Sequence, residues 1–271
     1  GGKYICDRPC SHIRYQNEIL LEEYAIWGLR FVGIDPRTIE KEEKEYEQAD
    51  YVTVPSAFSK NSFLKMGIPK TKIIKIPYGA NLDRFQKVSE PEKNKFRVLW
   101  VGQVSIRKGF LYALEAFKLL VHPNKEFYVV GFVTEEIKIY LKGKKIENVV
   151  FKGVVDNAAL KWLYSTSQVL IISSIEEGLA MVQGEALACG CPVIATPNTG
   201  SEDLFEDGKE GFIVPIRSPE IMAERMQQLA DDPDLRAQMS EAAQLRVKNM
   251  GGWDRYGNAF ANLVESLSEK D

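Results

Sequence analysis

At 271 residues the chain is longer than the usual single domain, which predicts two lobes. With 45% hydrophobic and 27% charged residues it has the composition of an ordinary globular protein. A net charge of -3 argues against nucleic acid as a partner, and no apolar run reaches the length of a membrane-crossing helix.

The chain opens on Gly1-Gly2-Lys3 and a short strand, a pattern that does not fit a signal peptide. Lys3–Cys6 and Tyr51–Pro55 read as strands separated by two polar helices, Tyr15–Leu29 and Asp35–Gln48. A third helix, Ser59–Met66, precedes a strand over Lys72–Ile76, and the charged, proline-bearing run Ser89–Lys95 reads as a linker. Beyond it strands and helices alternate. Val98–Val101 is a strand, Gly102–Gly109 a turn, and Phe110–Val121 a helix with Leu111, Leu114, Phe117, Leu120 and Val121 on one face. Strands at Phe127–Val130, Val149–Phe151, Val169–Ile172, Pro192–Thr196 and Gly211–Val214 follow. Between and after them come helices at Thr134–Lys144, from Asp156 to Tyr164, at Met181–Cys189, and from near Ser218, Asp234 and Trp253. Alternating strands and helices, with glycine at the strand ends, predict an α/β protein with a Rossmann-like, doubly wound parallel sheet. The expected division is a partial first lobe over 1–94, a second lobe over 95–250 and a C-terminal helix over 251–271 that packs back on the first lobe.

Cys6, Cys10, Cys189 and Cys191 lack the spacing of a zinc site, and only His12 and His122 could join them. Free thiols in a reducing cytoplasm are expected.

The most informative stretch runs from Ser173 to Ala195. It joins two apolar strands through a loop and a short helix closed by Gly190. Such a helix starts at the carboxyl edge of a parallel sheet, where these folds bind ligands. Glu177 lies in the loop and Glu185 about one turn inside the helix. Carboxylates accept hydrogen bonds only and suit vicinal diols. Two of them flanking a helix start suit a ligand with sugar hydroxyls at both ends and phosphate between, a nucleotide sugar. Two glutamates at this spacing also arise by chance in a chain so rich in glutamate, and loop acids are commonly just solvated. The turn Gly102-Gln-Val-Ser-Ile-Arg-Lys-Gly109 follows a strand and opens a helix, so its amides with Arg107 and Lys108 suit a phosphate. A cation pair at a helix start has little structural reason otherwise. The exposed basic stretch Lys138, Lys142, Lys144 and Lys145 reads first as a solvated face, or as one that meets an anionic membrane.

The run Glu177-Gly-Leu-Ala180, then Glu185-Ala-Leu-Ala-Cys-Gly-Cys-Pro-Val-Ile194, resembles the E-x7-E signature of retaining GT-B glycosyltransferases of family 4, also called group 1. Leu179 and Ala180 stand where that family has Phe and Gly. Ala49–Ser56, Gly67–Gly79 and Asp83-Arg-Phe85 resemble the last third of its N-terminal domain, so much of that domain is expected to be absent from this chain. The resemblance implies a GT-B C-terminal lobe with a partial second Rossmann-like lobe. It implies sugar transfer from a nucleoside diphosphate sugar to a glycan or lipid-linked acceptor with anomeric retention. The commonest setting of such relatives is envelope or exopolysaccharide assembly in the cytoplasm or at the inner membrane face. Under it Glu177 faces the transferred sugar and Glu185 the ribose. Lys108, with Gly109, holds the diphosphate, assisted by Arg107 because Gln103 replaces a family arginine after Gly102. Gly178, Leu179, Ala180, Met181 and Val182 line the donor. His12 occupies roughly the place of an acceptor-side histidine, though capping a helix or packing between lobes would explain it equally well. No metal or cofactor is expected. Two other readings stand beside this one: a truncated nucleotide-sugar-binding module without catalysis, and, ranked last, a GT-B phosphorylase or epimerase.

Overall fold

The computed structural model describes residues 2–78 and 84–268; Gly79 and Asp83 of the quoted runs lie outside the described residues. Two parallel sheets carry the fold. The first has three strands in the order β1 (Ile5–Asp7), β2 (Tyr51–Val54) and β3 (Ile73–Lys75). Helices α1 (Ile13–Ile26), α2 (Pro36–Gln48) and α3 (Ala57–Lys65) connect them. Cap residues set the helix starts. Asp35 accepts from Arg37 N–H at 2.9 Å with Pro36 in the first turn of α2. Helix α3 begins ahead of the expected Ser59 because Ser56 Oγ accepts from the Ser59 amide at 3.1 Å.

The second sheet has six strands: β4 (Phe96–Val101), β5 (Lys125–Val130), β6 (Val149–Gly153), β7 (Val169–Ile172), β8 (Val193–Ala195) and β9 (Gly211–Ile213). Seven helices accompany them: α4 (Phe110–Leu119), α5 (Glu135–Leu141), α6 (Asn157–Ser165), α7 (Val182–Ala188), α8 (Pro219–Asp231), α9 (Pro233–Met250) and α10 (Trp253–Ser268). The spatial order is β6-β5-β4-β7-β8-β9. The chain winds outward from β4 through β5 to β6, then returns to lay β7, β8 and β9 on the other side of β4. Neighbouring β4 and β7 therefore form the switch point, where the loops at the strand ends part and leave a crevice.

Both faces of this sheet are covered. Val98, Trp100, Phe127, Val129, Val169 and Ile171 pack on one side with Phe110, Met222 and Met226. Leu99, Leu170, Ile172, Val193 and Ala195 pack on the other with Leu187, Phe205 and Tyr164. The alternation follows the two-residue repeat of a strand, and a strand buried on both faces reads as a continuous apolar run. Each such aliphatic or aromatic side chain stabilises the fold by about 1.5–3 kcal/mol. A separate core under the first sheet holds Ile39, Tyr46, Val52, Val54 and Phe63. Helix α1 also packs on the second sheet's unit, through Ile19 and Leu20 against Tyr112 and Ile175. Arg217, after β9, reinforces this with bonds to Glu23 at 2.7 Å and Glu22 at 2.8 and 3.0 Å. At the far end, rings of α10 meet Tyr78 of the first segment, Trp253 at 6.2 Å and Tyr256 at 5.5 Å.

Candidate active site

Because β4 and β7 are neighbours, the turn Gly102–Gly109 and the loop Ser173–Ala180 run side by side. The Ile175 amide donates to the Arg107 carbonyl at 2.9 Å. Gly109 has φ 70°, and a Cβ there would lie 1.9 Å from the Ser173 carbonyl oxygen, so only glycine lets the two loops close. Two consecutive cations then face two consecutive acids. Arg107 Nε pairs with Glu176 Oε2 at 2.8 Å, and Lys108 Nζ pairs with Glu177 Oε1.

The two rungs have different environments. Glu176 is fully buried, 0% exposed. Its carboxylate also accepts from Ser11 N–H at 3.2 Å, Ser11 Oγ at 2.7 Å and Gln16 Nε2 at 2.8 Å. Burial alone would push this carboxyl up, but Arg107 and the bonds from Ser11 and Gln16 together outweigh it and hold the group below the usual carboxylate range. The outer rung is partly open. Glu177 Oε2 accepts from Ser174 Oγ at 3.0 Å, and Lys108 and Glu177 both line a cavity of about 90 Å³ with Gly102, Ala180, Met181 and Val182. That cavity lies at the carboxyl ends of β4 and β7. Glu185 does not line this cavity; one turn along α7 from Met181, which does, it accepts from Tyr164 OH at 2.9 Å, which fixes one carboxylate oxygen. Burial raises the Glu185 carboxyl, partly offset by that bond.

Several expectations are corrected. Arg107, expected to assist Lys108 at a diphosphate, has its Nε committed to the buried Glu176. Half of the turn's amides are already used: the N–H groups of Gly102, Val104, Lys108 and Gly109 donate to Val130 O, Phe132 O, Ser105 Oγ and Ile106 O, while among the described residues nothing accepts from those of Gln103, Ser105, Ile106 and Arg107. Ala180 donates its amide to Thr199 O at 3.0 Å, and both Leu179 and Ala180 have buried side chains. Among the described residues nothing accepts from the amides of Glu177, Gly178 and Leu179.

His12 is the clearest correction. It caps α1, its Nδ1 accepting from Arg14 N–H at 3.2 Å. Its ring, 3% exposed, sits 4.9 Å from Tyr46 and 5.0 Å from Phe63, so its surroundings are the first sheet's core rather than the cavity. Burial, opposed in part by Glu43, pushes the imidazole down from 6.5 to about 4. A histidine neutral in the fold and protonated when unfolded stabilises fully only above its unfolded value. Its contribution is lost as pH falls from 6.5 towards 4. His12→Asn, which keeps a capping acceptor, is expected to flatten the stability profile in that window, as denaturant titrations at several pH values would reveal.

Ser11, Gln16, Glu176 and Tyr164 escaped sequence reasoning. Glu176 reads as a solvated loop acid because its partners lie 160 and 165 residues away, and no local pattern encodes them. The basic stretch has local partners, with Lys138 bonded to Glu135 at 2.5 Å and Lys145 to Glu147 at 2.6 Å, as a solvated face would. Among the described residues no group of His, Cys, Asp and Glu has the arrangement of a metal site, and no helix is long and apolar enough to cross a membrane. All four cysteines are free.

The family model for glycosyl transferases group 1 matches residues 82–246, more than half of the chain. The chain belongs to this family. An uncharacterized glycosyltransferase of Methanocaldococcus jannaschii is 25% identical over 83% of this chain and 62% of its own length. A capsular polysaccharide biosynthesis glycosyltransferase, CapM of Staphylococcus aureus, is 29% identical over 63% of this chain and 48% of its own. The chain spans between 48% and 62% of the curated relatives it matches first. Sucrose-phosphate synthase from Thermosynechococcus elongatus superposes with a TM-score of 0.81 at 23% identity, over 98% of this chain and 68% of that one. HepE of Anabaena, solved with UDP-glucose, does so with a TM-score of 0.73 at 19% identity, over 85% and 68%. At such identities these likenesses establish the fold, that of GT-B glycosyltransferases with Rossmann-like parallel sheets.

Proposed function

We propose that a nucleoside diphosphate sugar binds along the crevice at the β4–β7 switch point, with only a part of it entering the cavity there, and that the protein transfers the sugar to an acceptor hydroxyl with retention of configuration. The observation that carries this reading is the outer rung. Lys108 and Glu177 are paired with each other, partly open, and flank the same cavity. An incoming diphosphate draws Lys108 away from Glu177. The freed carboxylate then faces the sugar, where positive charge builds as the bond from anomeric carbon to phosphate oxygen breaks. Lys108 and the amides of Gly178 and Leu179 take up the charge of the leaving diphosphate, and no metal is invoked. Glu185, oriented by Tyr164, accepts from the ribose diol. Capsule and colanic acid biosynthesis in the names of relatives supports an envelope or exopolysaccharide glycan as acceptor, made on the cytoplasmic side. If that acceptor is lipid-linked, the Lys138–Lys145 face is the side that meets the membrane. The direct test is incubation of the chain with labelled nucleotide sugars and glycan acceptors. Transfer supports the proposal, and binding without transfer or donor hydrolysis favours a binding module.

Three expected results follow from this arrangement. Lys108→Ala weakens UDP or GDP far more than the bare nucleoside in calorimetry, and equal losses for both ligands would exclude a phosphate role. Glu185→Gln weakens nucleoside diphosphate binding by roughly 1–3 kcal/mol, the scale of a hydrogen bond to a charged group. Tyr164→Phe is expected to do the same more weakly, through loss of orientation. Unchanged affinity in Glu185→Gln would remove the ribose assignment.

A further inference from the structure

Three consecutive residues of the loop that carries Glu177 meet the first sheet's unit in an alternating way. Glu176 accepts from Ser11 and Gln16, which follow β1. The Gly178 carbonyl accepts from Ser56 Oγ, just after β2, at 2.6 Å. A Cβ on Gly178 would lie 1.7 Å from the Pro9 carbonyl oxygen, so the two backbones are in contact. Glu177, between them, touches neither strand end, and its partners Lys108 and Ser174 belong to the second sheet's loops. Ser11 and Ser56 are fully buried, and neither they nor Gln16 line the cavity.

We propose that Glu176 is a positioning residue through which the ends of β1 and β2 set the place of the Glu177 carboxylate. The inner rung stays closed while the outer rung opens to the donor. The loop is then in its reactive arrangement only while the two sheets are docked, and parting them releases residues 176 to 178 together. A carboxylate acting on developing charge depends on sub-ångström placement, whereas nucleotide binding rests mainly on the Lys108 and Glu185 side chains, which lie outside this contact, and shares with it only the backbone at Gly178. The inference rests on the proposed transferase reading for its catalytic consequence, but not for the loop contact itself.

The double variant S11A/Q16A removes the two side-chain donors of the first unit, leaving only the Ser11 N–H on Glu176, and keeps Arg107, Glu176 and every cavity residue in place; S11T keeps the hydroxyl. Amide hydrogen exchange over 174–181 is measured on the whole chain, with UDP affinity and the kcat and KM of UDP-glucose turnover. The proposal expects exchange in this loop to rise at least about tenfold in S11A/Q16A and to stay near wild type in S11T. It expects kcat to fall about tenfold or more, with KM and UDP affinity within about threefold. Should the double variant fail to fold, S56A, which removes the bond to Gly178 together with the side-chain cap of α3, is expected to move the same readouts in the same direction. Unchanged exchange, or unchanged kcat with only a lower unfolding midpoint, would overturn the positioning role. A wild-type chain that turns over no nucleotide sugar would instead count against the transferase reading, and the exchange result alone would decide the loop contact.

Discussion

Replacing Glu177 by Gln is expected to lower sugar transfer by roughly a hundred- to a thousandfold, the range seen when one preorganised electrostatic group is removed from a reacting centre. The carboxylate is held on both sides. Lys108 pairs with Oε1, and Ser174 donates to Oε2 at 3.0 Å. Gln keeps the size and one acceptor but loses the charge that opposes the positive charge on the sugar. An interaction stronger in the transition state than in the bound substrate appears in kcat, so the loss belongs there. Affinity for the nucleoside diphosphate is expected to be unchanged or somewhat higher, because Lys108 no longer has to leave an anionic partner. Steady-state kinetics with a product-binding isotherm separates the two effects. Wild-type turnover in this variant would sink the assignment, and so would a loss confined to KM.

The contrast between Glu177 and its neighbour shows where local sequence stops being informative. The doubly wound sheet is legible because strands buried on both faces are continuous apolar runs, as Val169–Ile172 and Val193–Ala195 are, and because glycines end others, as Gly102 and Gly131 do after β4 and β5. Helix starts are legible to within a few residues, and they slip where a neighbouring hydroxyl caps instead, as Ser56 does for α3. Glu177 and Lys108 are legible as a pair because the motif and the glycine-bounded turn keep them on two loops that the switch point brings together, while Glu185 stands apart from them with Tyr164. Glu176 and Arg107 are not, since an acid and a cation one residue from those look equally suited to a ligand. Their commitment to each other depends on Ser11 and Gln16, which belong to a distant segment. His12 fails for the same reason in reverse. Its position suggested an acceptor site and a helix cap equally well; the structure has it as the cap of α1, and its packing on Tyr46 and Phe63 is what no spacing encodes.

Glu176→Ala is expected to cost about 3 kcal/mol of folding stability. Removing one member of a buried, hydrogen-bonded ion pair costs about 3–5 kcal/mol because the other charge is left without its partner. The lower end applies because the Arg107 side chain is 36% exposed, so water recovers part of its solvation. Ser11 and Gln16 add to the loss, since each would keep a buried donor with nothing to accept from it. A solvated loop acid would behave quite differently, with a change within about 0.5 kcal/mol in denaturant unfolding. The pH dependence gives an independent sign. Glu176 has a folded-state value below the ordinary 4.5, so its stabilisation is present above 4.5 and is lost as pH falls through the depressed value. The stability difference between wild type and Glu176→Ala should therefore be flat above about pH 5 and shrink only in the acid range. A difference that stayed constant down to the acid unfolding transition would mean that the site stabilises through packing and not through its charge.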